Sequence, residues 1–171
     1  MIIGLFGLSG SGKTFIRKKF QETHKDFQCY SASELLKEVN RPIERSSLNK
    51  INLDENQCTL IKVLKEKSKN SNIFIELHSI IEQSDSSSYF VKKEVLLSFN
   101  LDYIFLLDIS PKDLMLQRQY DGSKERPTLT IQQLEKLSTE QKKYLEEIFN
   151  NKLLIIKNYN ELVSKLNFKS C

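Results

Sequence analysis

Eight consecutive residues constrain this chain more than anything else in it: Gly7-Leu8-Ser9-Gly10-Ser11-Gly12-Lys13-Thr14 matches the pattern G-x-x-x-x-G-K-[ST]. Backbone N–H groups can converge on phosphate oxygens only where no Cβ blocks the approach or forbids the dihedrals, and Gly7, Gly10 and Gly12 meet that need. Ser9 and Ser11 complete the cradle, and the helix that follows turns its positive end toward the anion. Lys13 is placed to reach the β- and γ-phosphates, and the Thr14 hydroxyl suits Mg²⁺. The Lys13 side chain is expected to point into a solvent-filled site. Four of the five glycines, Gly4, Gly7, Gly10 and Gly12, fall within the first twelve residues. An apolar run, Ile2–Phe6, precedes the loop, and Ile16 and Phe20 follow it at helical spacing. Strand, loop and helix are the context the motif requires.

The rest of the chain repeats that alternation. Short apolar runs rich in β-branched and aromatic residues occur at 27–30, 73–77, 103–109 and Leu153–Ile156. They are continuous rather than alternating, as in parallel strands covered on both faces. Between them, Leu60, Ile61, Val63 and Leu64 form one helical face, and Val91, Val95 and Leu96 another. Ser110-Pro111 has the N-cap and first-turn chemistry of a helix start. Thr130 caps a further helix carrying Ile131, Leu134, Leu137, Leu145 and Ile148. The pattern predicts a doubly wound α/β fold in a single domain spanning all 171 residues. Three polar segments fit neither element: 40–52, 83–88 and 120–129.

Composition narrows the classes. No apolar run approaches the ~18–20 residues of a membrane span, and the amino-terminal segment lacks the basic region of a signal peptide. Cys29, Cys58 and Cys171 are odd in number and widely spaced, which argues against a disulfide framework or a zinc site and for a reducing cytoplasm. A net charge of +4 indicates neither a nucleic-acid nor a protein partner, and nothing speaks to oligomeric state. GTPases of the Ras type carry N-K-x-D, whereas Asn49-Lys50-Ile51-Asn52 and Asn151-Lys152-Leu153-Leu154 both lack the aspartate. Helicases and oligomeric AAA-type motors need a longer chain. A small kinase is the class that remains.

At Ser31-Ala32-Ser33-Glu34-Leu35-Leu36-Lys37, and again at Ile75-Glu76-Leu77-His78-Ser79, the sequence resembles the adenylate kinase-like nucleoside monophosphate kinases, the archaeal-type enzymes and their small bacterial relatives especially. The resemblance spans residues 1–157. It implies a three-layer α/β/α domain whose five parallel strands run in the order 2-3-1-4-5. The family's S-T-G-D-L-L-R segment starts a helix over the acceptor nucleotide, which gives Lys37 the position of the phosphate-contacting basic residue. Glu76 matches the carboxylate that holds the Mg²⁺ water shell, and His78 the turn lining the acceptor site. Residues 31–70 would form the acceptor-site insertion. Leu116-Gln117-Arg118 matches the passage into a short lid, 118–130, whose arginines close over the transferring phosphoryl group, making Arg118 and Arg126 the catalytic pair. Gln141 and the Asn56-Gln57 pair carry weaker matches. The chain departs from the family in lacking D-G-x-P-R and a Cys₄ lid cluster, and in placing Ala32 and Ser33 where T-G is usual.

The implied activity is ATP-dependent phosphoryl transfer to a nucleoside monophosphate, AMP or a related nucleotide, with Mg²⁺. The residues leave two alternatives open. One is a kinase of another small hydroxyl-bearing metabolite, with Glu76 as base. The other is an ATP-binding switch acting on a protein or RNA partner.

Overall fold

In the computed structural model the polypeptide is described over residues 1–43, 50–82, 87–121 and 126–167. In chain order the first half comprises β1 (Ile2–Phe6), α1 (Lys13–Thr23), β2 (Phe27–Ser31), α2 (Ala32–Glu38), α3 (Lys50–Lys67) and β3 (Asn72–Glu76). The second half comprises β4 (Ile80–Glu82), β5 (Ser88–Phe90), α4 (Lys93–Ser98), β6 (Tyr103–Leu107), α5 (Pro111–Tyr120), α6 (Ile131–Phe149), a 3₁₀ turn at Asn150–Lys152, β7 (Leu153–Ile156) and α7 (Tyr159–Asn167).

Five strands pair in parallel in the order β2-β3-β1-β6-β7. Counting only the strands of this sheet, that is the expected 2-3-1-4-5. Register sets Leu5 opposite Glu76 on one side of β1 and opposite Phe105 on the other. The loop leaving β1 therefore emerges between the ends of β3 and β6, at the carboxyl edge where open α/β sheets bind ligands.

The continuous apolar strands are explained by cover on both faces. Ile3, Leu5, Phe74 and Phe105 pack against Ile16 and Phe20 of α1 and Leu162 of α7. Ile2, Phe6, Ile75 and Leu106 pack against Leu35, Leu60, Leu64, Leu96 and Leu145 on the opposite face. Each such side chain, fully buried, contributes roughly 1.5–3 kcal/mol relative to exposure. Helix starts follow their local chemistry. Ser110 Oγ accepts from the Asp113 N–H at 3.1 Å with Pro111 next in the helix, and Thr130 and Gln133 form a reciprocal capping box.

Several features depart from expectation. β4 and β5 form an antiparallel hairpin, with Ile80 opposite Phe90 and Glu82 opposite Ser88, so that Ser88, inside the segment 83–88 read as a loop, begins a strand, while residues 83–86 lie outside the described residues. Three-residue strands are too short to carry an alternation signal. Helix α3 begins at Lys50, inside the segment 40–52, and buries Leu53 while leaving Ile51 exposed. Val91 precedes α4 instead of lying on its face; it is fully buried, and its N–H donates to Ser79 O. Helix α7, which no sequence signal announced, covers the same sheet face as α1. Residues 122–125, the middle of the expected lid, lie outside the described residues. Among the described residues no helix is long and apolar enough to cross a membrane.

Candidate active site

The phosphate loop bridges β1 and α1. Gly10 and Gly12 have φ of +83° and +91°, a left-handed conformation that side chains rarely adopt, and Gly12 is the N-cap of α1. Ser11 N–H donates to Leu8 O at 3.2 Å, tightening the turn. Among the described residues, Ser11 Oγ is a buried polar atom without a hydrogen-bond partner. Such an orphan in a glycine-rich loop at a helix start suits a phosphate oxygen. Lys13 corrects its expectation. Its side chain does not stand in solvent; it is 5% exposed, and its Nζ donates to the carbonyls of Gly7 at 2.8 Å and Leu8 at 2.9 Å. The ammonium thus ties the loop's own carbonyls together.

Beside the loop, Thr14 and Glu76 come together although 62 residues separate them: Thr14 Oγ1 donates to Glu76 Oε2 at 3.1 Å. Parallel pairing of β3 with β1 brings the glutamate there. The other carboxylate oxygen accepts from Arg17 Nε at 2.5 Å, and both side chains are over nine-tenths buried. Arg17 also donates to Cys29 O and to Glu34, whose carboxylate completes the capping box of α2 with Ser31. A buried carboxylate needs a cation. Sequence reasoning assigned that need to a metal alone and missed Arg17, although its position one helical turn beyond Lys13 was a usable signal. Burial pushes the Cys29 thiol up to about 11, against the opposing pull of Arg17.

The two arginines named from the sequence converge on the loop from α5 and from the segment preceding α6. Arg118 Nε donates to Ser9 O at 2.9 Å, and Arg126 Nε donates to Ser9 Oγ at 3.2 Å. A Cβ on Gly10 would come within 2.8 Å of Arg118 Cγ, so the arginine stem lies directly on the loop. Each guanidinium has an acidic partner that the sequence did not reveal. Arg118 pairs bidentately with Glu82 of the hairpin at 2.9 and 2.7 Å, and Arg126 pairs with Asp121.

The residues expected to line an acceptor site are less assembled. Lys37 is exposed near the end of α2, and His78 is half-buried just after β3. Gln141 is almost wholly buried and donates to Ser79 Oγ at 3.0 Å, tying α6 to the turn that carries His78. Asn56 and Gln57 are buried rather than surface residues; Asn56 donates to Pro42 O and accepts from Arg41, pinning the chain that leaves α2.

This geometry has clear relatives. An adenylate kinase of Pyrococcus horikoshii is 23% identical over 143 residues, covering 79% of this chain and 73% of that protein. Among solved structures, the shikimate kinase of Aquifex aeolicus superposes with a TM-score of 0.61 at 16% identity, covering 99% of this chain and 95% of the other. The deoxyadenosine kinase of M. mycoides, with dATP bound, superposes with a TM-score of 0.58 at 15% identity, covering 98% and 100%. The fold is therefore that of the P-loop kinases, as the resemblance implied. Residues 6–135, well over half of the chain, match the family model described as an AAA domain. Through residues 6–135, which include its phosphate-loop core, the chain belongs to the AAA domain family.

Proposed function

We propose that the protein is a nucleotide kinase that transfers the γ-phosphoryl group of ATP to the phosphate of a nucleoside monophosphate, AMP or a close relative. The observation that carries this reading is the convergence of Lys13, Arg118 and Arg126 on one phosphate loop, with both arginine Nε groups on Ser9. In this reading the loop N–H groups and Ser11 hold the triphosphate, and Lys13 exchanges the Gly7 and Leu8 carbonyls for β- and γ-oxygens. The arginines stabilise charge spread over the equatorial oxygens as the bond to ADP loosens. Lys37 and His78 hold the acceptor. The adenylate kinase relative supports AMP as the acceptor.

The residues fit Mg²⁺. Thr14 and Glu76 would hold it, directly and through water, and it would neutralise charge on the phosphates. Glu76 is a poor candidate for a general base, since both its oxygens are already engaged by Thr14 and Arg17. That speaks for an acceptor that is itself an anionic phosphate and needs no base, and against a hydroxyl-bearing metabolite. The free thiols of Cys29 and Cys58 favour a cytoplasmic setting.

The test is ADP formation from ATP and Mg²⁺ across a panel of nucleoside monophosphates. Stimulation by AMP or another monophosphate, with the matching diphosphate as product, is expected. Stimulation only by a non-phosphorylated metabolite, or only by a protein or RNA, refutes the reading.

A further inference from the structure

Glu82 and Asp121 both neutralise an arginine over the phosphate loop, yet their surroundings differ. The Glu82 and Arg118 side chains are 3% and 9% exposed, whereas Asp121 is 41% exposed beside Arg126 at 7%. Separating the first pair would strand two buried charges, whereas in the second only the guanidinium is buried and the Asp121 carboxylate can turn to water. Glu82 is also firmly held. Its hairpin is tied to α3, where Tyr89 and Lys92 both donate to Asp54 and so hold that carboxyl below its ordinary range. It is tied to α6 by the Tyr144 hydroxyl donating to Val91 O at 2.8 Å.

We propose that Glu82 is a positioning residue that fixes the Arg118 guanidinium against the phosphate loop, leaving Arg126 as the arginine that changes partners when nucleotide binds. This deepens the kinase reading and rests on it. A guanidinium has five N–H donors. Three are engaged, by Ser9 O and by the two Glu82 oxygens, which sets the plane and direction of the fork. Among the described residues the other two meet no partner, and they are available to phosphate oxygens already oriented, so that little ordering is left to the moment of transfer. Because the pair carries no net charge, Arg118 acts through directed hydrogen bonds more than through bulk attraction for the triphosphate. Glu82 was silent in the sequence, a lone acid between two isoleucines and a polar run.

The test compares the wild type with Glu82→Gln, Glu82→Asp, Arg118→Ala and the Glu82→Gln/Arg118→Ala double variant. The readouts are kcat, the KM for ATP, and solvent exchange of the Arg118 Nε–H followed by ¹⁵N NMR. Misplacing the fork by about an ångström is expected to lower kcat about 10²-fold in Glu82→Gln, with a much smaller change in ATP KM. Glu82→Asp should recover part of the loss, since it keeps the charge and the fold. Glu82→Gln should add nothing on an Arg118→Ala background, and the Nε–H, protected in the wild type, should exchange freely in Glu82→Gln. Full kcat in Glu82→Gln alongside a crippled Arg118→Ala, multiplying losses in the double variant, or an unchanged Nε–H would overturn the proposal. If the wild type phosphorylates no monophosphate, the kinase reading falls by itself, and Nε–H exchange alone decides the role of Glu82.

Discussion

Replacing Arg17 with methionine removes the cation that faces Glu76 while keeping most of the side-chain volume. Both members of the pair are over nine-tenths buried, so among the described residues Glu76 would keep only the Thr14 hydroxyl as a side-chain partner. Breaking one side of a buried pair costs about 3–5 kcal/mol. The second partner of Arg17, Glu34, is 48% exposed, and its loss adds at most about 1 kcal/mol. For a chain of this size each kcal/mol lowers Tm by about 2–4 °C, so Arg17→Met is expected to melt about 6–24 °C below the wild type. The penalty arises from an orphaned charge rather than from lost packing. Glu76→Gln introduced on top should therefore return about half of the loss or more, because the pair removed as a whole is worth little. Millimolar Mg²⁺ should also raise the Tm of Arg17→Met more than that of the wild type, a divalent cation taking the place of the guanidinium. Thermal melts of the wild type, both single variants and the double variant, with and without Mg²⁺, measure all of this. A Tm for Arg17→Met within about 2 °C of the wild type, or a double variant less stable than either single one, would refute the reasoning.

Lys13→Ala should abolish measurable phosphoryl transfer and also lower Tm, since the ammonium holds the Gly7 and Leu8 carbonyls; unchanged turnover would refute the phosphate-loop assignment. Lys37→Ala should raise the KM for the monophosphate more than the KM for ATP, and equal effects would return Lys37 to an ordinary exposed lysine. Arg118→Lys and Arg126→Lys keep charge but lose the fork, and each should lower kcat by about 10³-fold or more with nucleotide affinity changed by less than about tenfold. Steady-state kinetics would separate these effects, and intact kcat in both variants would favour an ATP-binding switch.

What the sequence determined by itself is local. The phosphate loop was legible because its function resides in eight consecutive residues and their dihedrals. The inner strands β1, β3 and β6 were legible because burial on both faces makes them continuous apolar runs, the less buried edge strands β2 and β7 as short apolar runs, and the starts of α5 and α6 because Ser110-Pro111 and Thr130 satisfy helix ends with neighbouring atoms. Lys13, Arg118 and Arg126 could be named, but not what they touch. Tertiary structure decided the partnerships: Thr14 with Glu76 across 62 residues, Arg118 with Ser9 across 109, and Arg126 with Ser9 across 117. It also decided that Lys13 folds back onto its own loop, that Arg17 shares Glu76, and that Glu82 holds Arg118. The reason is physical. A parallel sheet joins strands through long crossovers, so residues at its carboxyl edge meet without any spacing that periodicity could reveal. The worth of a charge there depends on burial and counter-charge, which belong to the packed molecule rather than to any one segment of the chain.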